Sequence, residues 1–585
     1  MKRIVLAIAT FFIVVSLNAQ TLPVGWAPGE KELMPSYLSS FDEKSPGSTS
    51  PPLGRLRNMG QWEEIDALII TWTSFPGIHR EIIKYAQTEC KVYIVCSDSN
   101  SVKNNLTSNN IPLTSNLKFI ITPFNSIWAR DYSANSVYIN DVDSLIYVDW
   151  TYNRPRPKDD TTCRAIAAKA GIALYQTTLD PNKLIHTGGN YMSDGLGTAF
   201  SSELILDENP TKTEAQIDTI MKKFMGINRY IKMEILPYDG IHHIDMHMKL
   251  LDEQTLLVGE YATGEADGPQ IEANINYVMS NFNSYFGTPY KLVRVPQPPD
   301  NGGDYPDNNG DYYTYTNAVF VNKTLLLPIY GNAYDTTAIR ILKENLPGYR
   351  VIGIPCTDII QQSGAIHCIT HSIGVKDPLL IVHQKLEDTY NYQTPYAVNA
   401  RIQHKSGIQS AVTYWTTDTT TSPIVWQTAS MANTDVPNNI WTANIPPQLP
   451  TTHIFYYIEG QANSGKMQVR PITAPTGFWN FKILGDPIDT NTTALDNIDV
   501  DAKAMLPYPN PASSITCIPV FAKGATNAHV YITDMVGQKI TDLHNGNIPA
   551  GTSNYFINAA MIPQGIYFVT VETPRAKNTV KLLVK

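Results

Sequence analysis

In GAIHCITH, residues 364–371, Cys368 stands beside His367, with His371 three residues on. A thiolate attacks far better than a thiol, and a neighbouring imidazolium or bound cation lowers the cysteine pKa. Cys368 is the one cysteine of the six with histidines this near in sequence. Nucleophile, metal ligand and half-disulfide are the three uses open to it. In SIWARDYSANSVY (126–138), Arg130 and Asp131 interrupt an otherwise β-patterned stretch, and the glycines of HTGGNYMSDGLG (186–197) permit tight turns and close backbone approach to a ligand. In IHHIDMHMKLL (241–251), read as a strand, the two-residue period sends His243, Asp245 and His247 to one face and His242 to the other. That face allows a zinc or iron site. It equally allows a metal-free site with His243 as acid/base and Asp245 as anchor for a cation.

Hydrolysis of a guanidinium uses all these parts together. Its central carbon is deactivated by delocalised charge, so carboxylates must fix the planar cation, a strong nucleophile must attack, and the departing ammonia must be protonated. Two carboxylates, one histidine and one cysteine suffice. No phosphate-binding glycine loop competes with this reading, since neither G-x-x-x-x-G-K-[ST] nor G-x-G-x-x-G after a strand occurs.

The stretches WARDY (128–132), GGNYMSDG (188–195), HID (243–245), YTNAVFVN (315–322) and AIHCITH (365–371) occur in an order that resembles the guanidine-modifying enzymes of the Porphyromonas-type peptidyl-arginine deiminase and agmatine deiminase family. The resemblance implies a five-bladed, pseudo-symmetric α/β propeller with the active site at its axis. It implies Cys368 as nucleophile, His243 as general acid/base, and Asp131 and Asp245 as the guanidinium-binding carboxylates, with no metal or other cofactor. Trp128 and Asn317 carry over as substrate-site residues. His247 receives no role.

DWTYNRPRPKDD (149–160) bears on the substrate. Proline stiffens itself and the residue before it, so Arg154 and Arg156 read as an extended pair projecting to one side. Such a pair suits a carboxylate bound bidentately, or else a solvated basic turn balanced by Asp159 and Asp160. YNRPRP resembles the segment with which the peptidyl-arginine enzyme holds the carboxylate of a C-terminal arginine, whereas HIDMHMKLLDEQTLLVGEY reads closer to agmatine-type members. Peptidyl-arginine is the favoured substrate and agmatine the alternative. A non-catalytic surface protein that binds arginine-bearing ligands, and a metal hydrolase using His243, Asp245 and His247, are the rivals from other classes.

These residues need a scaffold. The chain has 585 residues, too many for one core, and its 40 Pro, 35 Gly and 32 Tyr lean toward strands and turns. A net charge of -9 gives no basic footprint for nucleic acid. Lys2 and Arg3, the apolar run Ile4 to Leu17 and small Ala19 have the layout of a secretory signal, residues 1–19, with a run shorter than the ~20 residues that span a bilayer. No later segment is long and apolar enough to span. Export makes disulfides possible, but the six scattered cysteines form no framework, so at least one is expected to be free.

Residues 20–60 read as a linker or pro-segment, and 61–390 as the α/β catalytic region, with strands such as IDALIITW and LLIVH and helices such as HREIIKYAQTE and TEAQIDTIMKKFMG. Short strands at turn-separated spacing over 395–484 predict an immunoglobulin-like β-sandwich. An acidic linker, 485–504, leads to a small all-β module, 505–585. In that module YPNP (508–511), GIYFV (565–569) and KLLVK (581–585) resemble the C-terminal sorting domain of type IX secretion. This implies the type IX machinery as partner and a secreted or outer-membrane surface location. PDNGGDYPDNNGD (299–311) lacks the full calcium-loop spacing and reads as a mobile loop.

Overall fold

The computed structural model describes residues 22–40, 47–484 and 501–585. The expected signal peptide and most of the expected linker 485–504 lie outside the described residues. The chain divides into two units, 1–486 and 487–585.

In the first unit one motif recurs in five sheets: a short strand antiparallel to a central strand, which is parallel to a third. The central strands are Ile65–Thr71, Ser144–Tyr152, Thr198–Ser202, Thr255–Glu260 and Thr324–Ile329. Each is joined to its parallel neighbour through helix, as a βαβ crossover requires. The helices Pro76–Ala86 and Glu214–Met225 fall where the 3.6-residue apolar period predicts. The second opens on a capping box, Thr213 with Gln216, and closes on Gly226 at φ 72°, a left-handed position that favours glycine.

The antiparallel first strands are Asn135–Ile139, Met192–Ser193, Met248–Leu250, Val319–Val321 and Thr370–Gly374. Immediately before them stand WARDY, GGN, HID, TYTN and IHC. One recurring position of the motif therefore delivers all the reactive residues. The five segments touch in a cycle. Gly189 N donates to Asp131 Oδ1 at 3.1 Å, Gly189 packs against the His243 ring, and Thr316 Oγ1 donates to the carbonyl of Asp245 at 2.9 Å. Asn317 Oδ1 accepts from His367 N at 3.0 Å, and Arg130 N donates to the carbonyl of Cys368 at 3.0 Å, which returns to the start.

The expected strand over 241–251 is shorter than the alternation suggests. Only Met248–Leu250 is strand, and residues 244–246 form a 3-10 turn. The Asp239 carboxylate accepts from the amides of Ile241 and His243, which bends the backbone away from extended geometry. His243, Asp245 and His247 consequently do not share a strand face, and the basis of the metal-triad reading is lost. Among the described residues no group of three His, Cys, Asp or Glu is placed to hold a metal ion.

LLIVH also moves. Leu380–His383 pairs antiparallel with Tyr396–Gln403, and Leu379 and Ile381 pack in the core of the β-sandwich, so this strand belongs with that region rather than with the α/β region. The sandwich consists of two antiparallel sheets, one through Tyr396–Gln403 and Ile440–Ile445, the other through Ile408–Thr416 and His453–Ala462. The ion pairs Arg470–Glu253 and Lys466–Glu64, at 2.9 and 2.7 Å, tie it to the α/β region. The second unit is all-β. It begins with the strand Ala502–Ala504, inside the segment expected to be linker, which pairs with Ile515–Ala522. Its second sheet contains Gly565–Glu572 and Lys577–Val584. No helix among the described residues is long and apolar enough to cross a membrane.

Residues 299–311 form a loop organised by Asp300, whose carboxylate accepts from the amides of Gly302, Asp304 and Asp311. All six cysteines are free and buried.

Candidate active site

Cys368 is fully buried at the end of the turn that leads into Thr370–Gly374. Its Sγ lies 3.6 Å from Asp245 Oδ2 and accepts from Asn317 Nδ2 at 3.1 Å. Burial first, then the nearby Asp245 and Asp131, push the thiol well above the usual cysteine range. Without a cation between them, sulfur and carboxylates compete for negative charge.

Asp131 sits in the short helix Ala129–Tyr132 with His243 Nδ1 3.8 Å away. Burial raises it to about 6 against the Gly189 amide and the Arg154 and Arg130 charges. Burial and then Asp131 raise Asp245 well above the usual range. His243 is held well below its usual range by burial and the Arg154 charge, so the ring is neutral at neutral pH. Neither of its nitrogens, nor Asp245 Oδ1, has a hydrogen-bond partner among the described residues. Buried polar atoms are normally satisfied. Unpaired acceptors beside a protonated thiol are what an arriving planar cation would satisfy.

Gly189 makes this geometry possible. A Cβ there would collide with the His243 ring, and one at Gly188 would collide with the carbonyl of Arg130. The glycines thus admit neighbouring backbone and side chains of the site itself. Gly189→Ala is expected to displace the imidazole and lower kcat/KM by roughly 100-fold, as an ångström-scale misplacement does. Steady-state kinetics alongside a melting curve checks this.

Two of the residues expected to touch substrate have partners within the protein. Asn317 is bound to the Cys368 loop at both ends of its amide. Oδ1 accepts from the amides of Ala365 and His367, and Nδ2 reaches Sγ, so its amide is engaged within the reactive loop. The arginine pair is not extended either. Arg156 N donates to the Arg154 carbonyl at 2.7 Å, a three-residue turn about Pro155, and the two side chains take different partners. Arg156 is clamped on Glu30, with Nε to Oε1 at 2.7 Å and Nη2 to Oε2 at 2.9 Å. Arg154 stays near the site, its guanidinium 4.4 Å from the Trp26 ring centroid and 4.0 Å from Glu208. Trp128 is fully buried against the reactive loop, since a Cβ at Gly364 would meet both its ring and the Cys368 sulfur.

Other residues were not legible as parts of the site. His367 Nδ1 lies 2.6 Å from Asp245 Oδ2 and its Nε2 lies 3.1 Å from Gln61 Oε1, which also accepts from Lys249 Nζ at 2.7 Å. This chain braces Asp245 from behind. Burial lowers Lys249 to about 7. Arg130, lowered by burial to about 10, donates from Nε to the carbonyl of His367. His371 faces Arg130, and His247 is buried with neither ring nitrogen paired among the described residues.

A thiol, a neutral imidazole and two carboxylates, with acceptors left unpaired among the described residues, gather in one place. Residues 61–373 match the profile of Porphyromonas-type peptidyl-arginine deiminase, and residues 507–585 match the secretion system C-terminal sorting domain. With more than half of its length in the first match, the chain belongs to the Porphyromonas-type peptidyl-arginine deiminase family of guanidine-modifying enzymes. Similar curated proteins include a candidate agmatine deiminase of Shewanella baltica strain OS155, 26% identical over 372 residues, 57% of this chain and 97% of that one. Another, from Shewanella sp. strain W3-18-1, is 25% identical over 370 residues, 56% of this chain and 97% of that one. A solved structure of a candidate agmatine deiminase aligns with TM-score 0.50 at 19% identity, covering 56% of this chain and 100% of that one, a likeness of fold.

Proposed function

We propose that the protein hydrolyses a guanidinium group to a ureido group and ammonia by a covalent cysteine mechanism, and that its five sheets close around this site as a pseudo-symmetric propeller. The single observation that carries the reading is the Cys368 sulfur 3.6 Å from Asp245 beside the unpaired acceptors of Asp245 and His243. A guanidinium held by Asp131 and Asp245 brings the positive charge that both carboxylates and the thiol lack, so binding favours their ionised forms. The thiol proton passes to the neutral His243. The thiolate then attacks the guanidinium carbon, and His243 returns the proton to the departing nitrogen, which leaves as ammonia. Water, deprotonated by His243, attacks the resulting S-linked amidine and expels the thiol, leaving the ureido product.

A peptide ending in arginine is the preferred substrate, with Arg154 reaching its terminal carboxylate from beside Asp131. Agmatine is the second reading. It is favoured by the names of the Shewanella relatives and by a site whose reactive residues are all buried, which suits a small molecule. The sorting domain supports work outside the inner membrane, at the cell surface or outer membrane. The test is ammonia release from a C-terminal arginine peptide, free arginine and agmatine, measured for the wild type and Arg154→Ala. The peptide reading expects Arg154→Ala to raise KM for the peptide at least about tenfold, the loss of one charge-assisted pair, and to leave agmatine nearly unchanged. Equal losses on both substrates would refute the carboxylate contact.

A further inference from the structure

Residues 22–30 precede the family match, yet they meet three of the four side chains that the sequence marks for substrate outside the catalytic four, all but Asn317. The Leu22 carbonyl accepts from Trp128 Nε1 at 2.8 Å. The Trp26 ring lies over the Arg154 guanidinium. The Pro23 and Gly25 carbonyls accept from Arg156 Nη2 at 2.8 and 3.0 Å. Glu30 completes the set as a carboxylate bound in a bidentate fork on Arg156 and shaped by the Ala27 amide at 2.8 Å. Burial works to raise Glu30, but Arg156 and the Ala27 amide carry it below the usual range, so it is ionised. Val24 is 1% exposed and packs in the α/β core. Trp128, which the segment grips, shares the neighbourhood of Gly364 with the Cys368 sulfur, and Cys368, His243, Asp131 and Asp245 are all at most 1% exposed.

A planar two-oxygen anion on an arginine fork is what the terminal carboxylate of a peptide would offer. We infer that residues 22–30 are an intramolecular strap that fills the entrance to the reactive cysteine, with Glu30 standing where a substrate carboxylate binds, so that a C-terminal arginine peptide must displace the strap to enter. The inference rests on the guanidine-hydrolase reading. The closed arrangement is the latent form of the enzyme, and release of the strap is its activating step.

The test uses full-length protein in the Cys368→Ala background, where binding is read without turnover. Titration calorimetry with a C-terminal arginine peptide is expected to show affinity rising on the order of tenfold in Glu30→Gln, since the rival anion is removed. Trp26→Ala, which loosens the strap without touching Arg156, is expected to act in the same direction. The peptide should also speed hydrogen exchange at amides 22–30 in the parent protein. An unchanged or weaker affinity in both variants, or peptide binding with unchanged exchange across 22–30, would overturn the strap. So would a loss of agmatine affinity in Glu30→Gln, which would make Glu30 a partner for the substrate's ammonium. Failure of the parent to bind any peptide, with Glu30→Gln equally inert, also overturns it. Turnover by the version with Cys368 intact then separates the two claims. Deimination that persists while the strap test fails leaves the enzymatic reading standing, and no turnover of any guanidine removes that reading as well.

Discussion

Cys368→Ala is expected to abolish ammonia release from every guanidine substrate, with a fall in kcat of at least about 10⁴-fold, because no other group in the site can form the bond to carbon. Asn317 and Asp245 both contact the sulfur, and the other five cysteines are buried. The stability change should be small. The lost contact leaves one buried amide hydrogen of Asn317 without its acceptor, a cost of about 1 kcal/mol. Ammonia assays and thermal denaturation measured on the same preparation separate lost chemistry from lost fold. Turnover within tenfold of wild type would end the cysteine mechanism, and a collapsed melting transition would mean that the sulfur is chiefly structural.

How far the sequence foretold this site depends on the kind of residue. Cys368, His243, Asp131 and Asp245 were legible because their types fit one chemistry and each lies in a short stretch resembling one family. The repeating βαβ elements were legible through apolar period, as in residues 76–86 and 214–225. What failed was inference from local spacing where a polar side chain rewrites the backbone. Asp239 turns 241–247 out of strand geometry, and a turn about Pro155 replaces the extended backbone expected for Arg154 and Arg156. What was invisible was contact at long separation. Gln61 meets His367 across 306 positions, and Glu30 meets Arg156 across 126. A stretch rich in Pro, Gly and Ser carries no period to reveal that it packs on a core. Its residue types announced a linker, although Val24 and Trp26 were the apolar anchors that a tethered segment needs.

Asp245→Asn tests the electrostatics rather than the nucleophile, and its signature is a shift as well as a loss. The amide keeps the shape of the side chain and an oxygen for His367 Nδ1, but it removes one of the two charges proposed to hold the guanidinium. A fall in kcat/KM of roughly 10³-fold is expected, one buried charge-assisted pair together with part of the orientation it gave. The pH profile carries the mechanism. A guanidinium is held only when both carboxylates are ionised, so the acid limb of kcat/KM, which reports the free enzyme, follows the higher of their two pKa values. Burial and Asp131 place Asp245 well above the usual carboxylate range, whereas Asp131 is raised only to about 6. Wild-type activity is therefore present at high pH and lost as pH falls through the Asp245 value. In the variant Asp131 alone sets the limb, relieved of a negative neighbour, and the limb moves to lower pH. A variant that was merely misfolded would lose rate at every pH and leave the midpoint where it was, so a lowered rate with an unmoved acid limb would remove Asp245 from the cation's grip.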